Sequence, residues 1–471
     1  MSTPDAKSVL AGLWRAAGQD DAALNEVALT GAEPVLPSSF AIGTAAQATI
    51  AAAALAAGEV WRQRTGRRQR VAVDMRAAAV EFRSERYLRV DGKRPAEYHD
   101  SIAGLYRCGD GRWVRLHTNL PHHCSGLLAL LGCDHDRKAV QRTLDKWQGE
   151  ALEDAAAEAG LVVTACRSFA EWDRHPQARA IAELPLFAIE QIGEAPAKSL
   201  SAAERPLSGI KVLDLTRIIA GPVCGRTLAA HGADVLLVTA SHLPSMLPLV
   251  IDTGRGKLST SIDLRETEGR ETLAALLSDA DIIVQGYRPG AIAAFGFGPQ
   301  EVAKLRPGIV YVSLCAYGHE GPWAGRRGFD SLVQTASGLN AAEAEAFGVS
   351  EPKALPAQEL DHATGYLLAF AAMTALSRRA ERGGSWHVRA SLAQTGYWLR
   401  HLGRIDGLKC PDPRSADIRD RMEETPSGFG QLTAVRHSTI MAETPPRWTR
   451  PSVPLGTHRP VWPRERIKSN A

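Results

Sequence analysis

Gly209-Ile210-Lys211-Val212-Leu213-Asp214-Leu215 is the stretch on which the fold turns. It reads as a buried strand over 210–215, bounded by Gly209 and by a turn at Gly221-Pro222. A helix runs from there to about Ala230, and Gly232 breaks it. Ala233-Asp234-Val235-Leu236-Leu237-Val238 is the next strand. A helix over 266–277, a strand over 281–284, a turn at Arg288-Pro289-Gly290, a helix near Glu301 and a strand over 309–314 continue the alternation. Apolar strands alternating with helices predict a doubly wound parallel sheet, an α/β fold. Such sheets bind ligands beyond the carboxyl ends of their strands. Those ends are 214–222, 238–242, 285–290 and 315–318.

Outward from this core the character changes. Residues 1–40 read as a helix and a Pro-containing connector, Glu33-Pro34-Val35-Leu36-Pro37. An alanine-rich helix spans 44–64 and ends at Thr65-Gly66, with Arg62 and Arg64 placed to favour the helix dipole. Val71-Ala72-Val73-Asp74-Met75 is a short strand. Within 98–185, two strands flank an Asp110-Gly111 turn, and helices follow over 124–131 and 140–159. These elements predict a smaller α+β domain placed N-terminally. The expected divisions are 1–97, the small domain 98–185, a linker 186–207, the large domain 208–405, and an extended Pro-rich segment 406–471.

The helix, Thr65-Gly66 and strand 71–75 echo a later helix, Arg382-Gly383 and Val388-Arg389-Ala390-Ser391-Leu392. The two strand motifs start 317 residues apart, at Val71 and Val388. At that offset Thr44 stands opposite Asp361, so one active site per chain is expected.

Asp361 lies in Glu359-Leu360-Asp361-His362-Ala363-Thr364-Gly365-Tyr366, at the head of an apolar run. Two readings fit a carboxylate there: a helix cap through its side-chain oxygen, or a nucleophile that forms an acyl intermediate away from water.

Bulk properties set further limits. With 471 residues the chain has room for a large core. A net charge of +3 without a basic block argues against nucleic-acid or anionic-membrane binding. Seven scattered cysteines without a C-x-x-C pair fit reduced thiols and a cytoplasmic setting. The first six residues show no signal-peptide pattern. His117, His122, His123, Cys124, Cys133 and His135 match no strong zinc spacing. No permanently bound cofactor is expected.

Taken together, several motifs resemble the class III CoA-transferases (CaiB/BaiF type, formyl-CoA-transferase-like). They are Pro206 through Arg217 with Ala220-Gly221-Pro222, and Leu228-Ala229-Ala230-His231-Gly232-Ala233-Asp234-Val235. Gly254-Arg255-Gly256-Lys257, Tyr287-Arg288-Pro289-Gly290, Tyr317-Gly318, Gly328-Phe329-Asp330 and Asp361 with Gly365 complete the set. The resemblance implies a Rossmann-like large domain, a small domain and interlocked homodimers, here with a rearranged order. It implies Asp361 as nucleophile, and coenzyme A held by Ile219, Ala220, Ile262, Arg265, Gly286, Tyr287, Arg288, Arg327 and Asp330. The implied reaction moves CoA between an acyl-CoA and a carboxylic acid. Arg217 would join Arg265, Arg288 and Arg327 in neutralising phosphates, and Ser427-Gly428-Phe429-Gly430 would offer either oxyanion donors or a plain turn. The chain departs from the family pattern at Leu237-Val238-Thr239 and at Gln285-Gly286, which leaves a degenerate CoA-binding protein as an alternative. Related racemases place a His where Phe329 stands, so an acyl-CoA racemase reading loses its second base.

Overall fold

The computed structural model describes residues 5–96 and 99–463. Its central sheet has seven strands. Their order is Lys257–Ser261, Asp234–Thr239, Lys211–Leu215, Ile282–Gln285, Val310–Cys315, Ser385–Ser391 and Phe187–Gly193. The first six run parallel and the last is antiparallel. Among the six parallel strands, order grows outward in both directions from Lys211–Leu215, so it reverses between that strand and Ile282–Gln285. Ile282–Gln285 and Val310–Cys315 are buried at every residue, as strands covered on both faces must be.

Three expectations about elements change. The 186–207 linker contains the edge strand Phe187–Gly193, whose half-exposed pattern hid it. Lys257–Ser261 was not foreseen as a strand, because only Leu258 in it is aliphatic. Its Lys257 is buried against Asp214 and the Pro222 carbonyl, each 2.8 Å away. The helix expected over 140–159 is two helices, Arg137–Leu144 and Gly149–Glu158. The N–H of Gly109 clamps the break, donating to the carbonyls of Leu144 (3.1 Å) and Trp147 (2.9 Å).

These two helices and Pro121–Leu131 cover an antiparallel sheet of Gly104–Arg107, Trp113–Leu116 and Val163–Ala165. The unit has its own core, which includes Tyr106, Val114, Leu127, Val140 and Leu152. Beyond residue 406 the chain is not merely extended. Met422–Ser427 and Gly430–Val435 form a hairpin, and Thr439–Met441 pairs with Val71–Asp74. Residues 442–463 are irregular and bind by backbone bonds such as Arg447 N–H to Ala230 O (3.0 Å) and His458 N–H to Ser259 O (2.7 Å). The last residues of that expected segment, 464–471, lie outside the described residues.

The echo has a structural counterpart. Helices Ile42–Thr65 and Glu359–Arg382 each hold 24 residues, are buried over most of their length, and pack on each other. They start 317 residues apart, at Ile42 and Glu359, and so do the helices that follow, at Met75 and Leu392. Small side chains let helix axes approach closely, and alanine is the commonest residue on the buried surface of the first of the pair. Neither helix has a side-chain bond from its own N-cap residue, Ala41 or Gln358. Each is instead served by a distant acid. Glu33 Oε1 accepts the Thr44 N–H at 2.7 Å, and Asp330 Oδ2 accepts those of Leu360 (2.7 Å) and Asp361 (3.0 Å).

Candidate active site at the head of the central sheet

The strand-order reversal opens a cavity of about 510 Å3. Its walls are the segments that leave three adjacent strands: Leu215, Arg217, Ile218 and Ala220; Gly286, Tyr287 and Arg288; and Leu314, Cys315 and Ala316. Arg326, Arg327 and Phe329 add another side, and Leu120, His122 and His123 of the small unit close it. Asp361 is its one acidic lining residue among the described residues, and is 6% exposed.

Asp361 is the third residue of Glu359–Arg382, inside the first turn, so the cap reading is corrected. Burial is the main cause that raises its pKa well above the usual carboxylate range, and the nearby carboxylates of Asp330 and Glu85 add to it. The Ala220 N–H, close to the carboxylate, opposes the rise. That N–H opens the helix Ala220–Ala230, whose N-cap Ile219 offers no side-chain bond. Ile218, just before, has φ +75°. A β-branched residue in that region carries strain of order 1–3 kcal/mol, a pattern found at functional sites. Gly365 allows the two helices to meet: a Cβ there would lie 2.5 Å from the Ala220 carbonyl and 2.8 Å from Val223.

Four arginines line the cavity. Arg217 lies over the Tyr287 ring at 5.7 Å and donates to the Pro244 carbonyl at 2.9 Å. Arg327 donates to the Gly160 carbonyl at 2.7 Å. Burial and the neighbouring Arg288 and Arg217 lower its pKa. Gln285, at the first family departure on this strand, fixes the turn that follows: its Oε1 accepts the Tyr287 N–H at 3.1 Å and its Nε2 donates to Ser313 at 3.2 Å. A smaller cavity of about 110 Å3 continues past Tyr287 and is lined by Thr239, Ile262, Arg265 and Phe295.

Ala220, Gly286, Tyr287, Arg288, Arg327 and Asp361 therefore converge on one cavity, with Ile262 and Arg265 on its neighbour. Arg265 is engaged by Asp263 at 2.6 Å. Ile219 and Asp330 face neither cavity; both are buried. Asp330 is turned toward the helix that carries Asp361. Ser427-Gly428-Phe429-Gly430 is a hairpin turn outside the cavity lining, so its plain-turn reading holds.

His122 and His123 were assigned no site role from sequence. His117 stacks on Phe329 with ring centroids 4.0 Å apart, and His123 meets the same ring edge-on. Burial pushes His117 down to about 4 and His123 to about 3, so both are neutral at physiological pH. Of the possible metal ligands named from sequence, Cys124 and His135 do come together, with Asp100. Asp100 also accepts the Ile102 N–H (2.9 Å) and the Thr118 hydroxyl (3.0 Å), which gives it a structural task.

A sequence profile described as CoA-transferase family III matches residues 19–197 and, separately, 207–403. The chain belongs to CoA-transferase family III. The first family III segment holds the helix Ile42–Thr65 and the small unit; the second holds the six parallel strands of the central sheet and Asp361. Both contribute to the cavity. Among curated family relatives, the chain is 39% identical over 211 residues to an acetyl-coenzyme A transferase of Hypoxylon pulicicidum, covering 44% of this chain and 36% of that protein. It is 30% identical over 269 residues to a probable fatty acyl-CoA transferase of Mycobacterium tuberculosis, covering 52% and 68%. A crystal structure of that mycobacterial protein matches with a TM-score of 0.39, covering 42% of this chain and 58% of that one. The chain spans about a third to a half of the length of the first curated relatives it matches.

Proposed function

We propose that the protein transfers CoA from an acyl-CoA to a carboxylic acid, with Asp361 as the nucleophile. The observation that carries the reading is the placement of this one carboxylate on a cavity whose other charged lining residues are arginines. Family membership supports CoA chemistry in general, and the named relatives are CoA- and acyl-CoA transferases.

The Asp361 carboxylate attacks the thioester carbonyl. A carbon–oxygen bond forms, the carbon–sulfur bond breaks, and a mixed anhydride and CoA thiolate result. The thiolate then attacks the Asp361 carbonyl, which releases the donor acid as carboxylate and leaves an aspartyl-CoA thioester. The acceptor carboxylate repeats the two steps in reverse order, and Asp361 is restored. Each tetrahedral state places negative charge on an oxygen. The Ala220 N–H, close to the Asp361 carboxylate, suits the oxyanion that forms on Asp361 itself. Arg217, Arg288 and Arg327 suit the CoA phosphates, and the cavity past Tyr287 suits the adenine. The Rossmann-like description of the large domain fits the reversal of strand order at this site. CoA is thus a substrate with no resident cofactor, and the setting is cytoplasmic. No helix among the described residues is long and apolar enough to cross a membrane.

The homodimer implied by the family resemblance is part of this proposal, and mass measurement in solution tests it. The chemistry is tested by mixing acyl-CoA with hydroxylamine. Peptide mass analysis should find a hydroxamate at Asp361, and Asp361→Ala should abolish both the adduct and transfer. Transfer without a trapped adduct would sink the mechanism, and CoA binding with neither would leave a binding protein.

A further inference from the structure

The family resemblance puts Asp330 among the groups that hold CoA. Its side chain does something else. It is 1% exposed and faces away from the cavity, although Phe329 before it lines the wall. Oδ2 accepts the N–H groups of Leu360 and Asp361 at 2.7 and 3.0 Å, and Oδ1 accepts from the Gln334 side chain. Gln334 is itself anchored, since its Oε1 accepts from the Asn340 side chain (2.9 Å) and the Leu355 N–H (3.0 Å). The first turn of Glu359–Arg382 has no cap from Gln358, so a residue 31 positions upstream of Asp361 supplies it. First-turn N–H groups need such partners, and an anion there also gains from the helix dipole.

We propose that Asp330 is a positioning residue for Asp361: its buried carboxylate fixes the turn that carries the nucleophile and places a second negative charge beside it. The inference rests on Asp361 being the nucleophile. Two carboxylates this close resist joint ionisation, so the native pair binds a proton that Asp361 must lose before it attacks. The other groups around the pair are known. Glu85, bonded to His362 at 3.2 Å, adds negative charge at Asp361, and His362 opposes the rise at Asp330. Glu359 is buried beside Asp330 with its own pKa raised, Arg115 acts on Asp330 from the small unit, and the arginines line the cavity mouth.

Asp330→Asn and Asp330→Ala separate this role from CoA binding. The rate of hydroxylamine trapping at Asp361 is measured from pH 5 to 9, with free-CoA affinity measured alongside. In Asp330→Asn the amide oxygen still accepts the two N–H groups but the charge is gone, so the acidic limb should move to lower pH. In Asp330→Ala the turn loses its anchor, and trapping should slow at least tenfold at every pH with CoA affinity unchanged. An unmoved limb in Asp330→Asn overturns the proposal. So does a loss of CoA affinity that accounts for the lost rate. Should Asp330→Ala fail to fold, the limb in Asp330→Asn decides alone. A native protein that transfers CoA but yields no Asp361 adduct instead overturns the nucleophile reading, and this inference with it.

Discussion

Thr44 and Asp361 are each the third residue of a 24-residue helix, and the two helices pack on each other. One position carries the carboxylate proposed as nucleophile and the other a hydroxyl. The Thr44 N–H is already taken by Glu33, and Thr44 is fully buried. Hydroxylamine trapping should therefore saturate at one adduct per chain. Thr44→Asp should not add a second, and should cost about 1–3 kcal/mol of stability in denaturant titration, since it buries a new acid beside Glu33.

The charge on Asp361 is the next handle. Its pKa stands above the ordinary range because of burial and then of Asp330 and Glu85. Transfer should rise with pH as this group loses its proton, and the acidic limb of the rate profile should lie above the ordinary carboxylate range. Glu85→Gln removes one of the two named charges and should move that limb to lower pH. An unchanged limb would show that Glu85 does not act on the site.

Glu359 offers a test of stability alone. Both carboxylate oxygens are buried and lack hydrogen-bond partners among the described residues, and burial followed by the charges of Asp330 and Glu33 raises its pKa well above 4.5. Its folded pKa exceeds its unfolded one, so its contribution is complete below about pH 4.5 and is lost as pH rises toward the folded value. Glu359→Met should stabilise the protein by about 1 kcal/mol or more near pH 8. The gain should shrink toward pH 5, as read by chemical denaturation at both.

Gly365→Ala probes the contact of two helices. The added methyl would press on the Ala220 carbonyl at 2.5 Å. Overpacking of this kind costs about 1–3 kcal/mol. The displaced helix is the one whose N–H meets Asp361. A lower melting temperature with a disproportionate fall in kcat is expected, and an intact kcat would argue against the Ala220 contact in catalysis.

Arg288→Ala should raise KM for acyl-CoA roughly tenfold, the order expected for a lost charge-assisted hydrogen bond. KM for the acceptor acid should stay near its native value. Equal changes in both would place Arg288 at the acyl end of the cavity.

Much of this was legible in the residues. Apolar runs such as Ile282–Gln285 and Val310–Cys315 mark buried parallel strands without ambiguity, and Asp361 together with Gly286–Arg288 fell on the cavity they predict. What escaped was decided by tertiary contact. Lys257 reads as a surface residue until Asp214 is seen beside it. Phe187–Gly193 becomes a strand only because Ser385–Ser391 offers an edge. The direction in which Asp330 points depends on a helix that begins at Glu359. His122 and His123 reach the site through the docking of the small unit, for which no local pattern exists.

The paired helices have one more consequence. In a symmetric assembly of identical chains, every substitution at the contact is made twice, once on each side of the axis. Here the two faces are encoded separately, at 42–65 and at 359–382. A change in one is not copied to the other, so the alanine-rich face is free to specialise as scaffold while its counterpart retains Asp361.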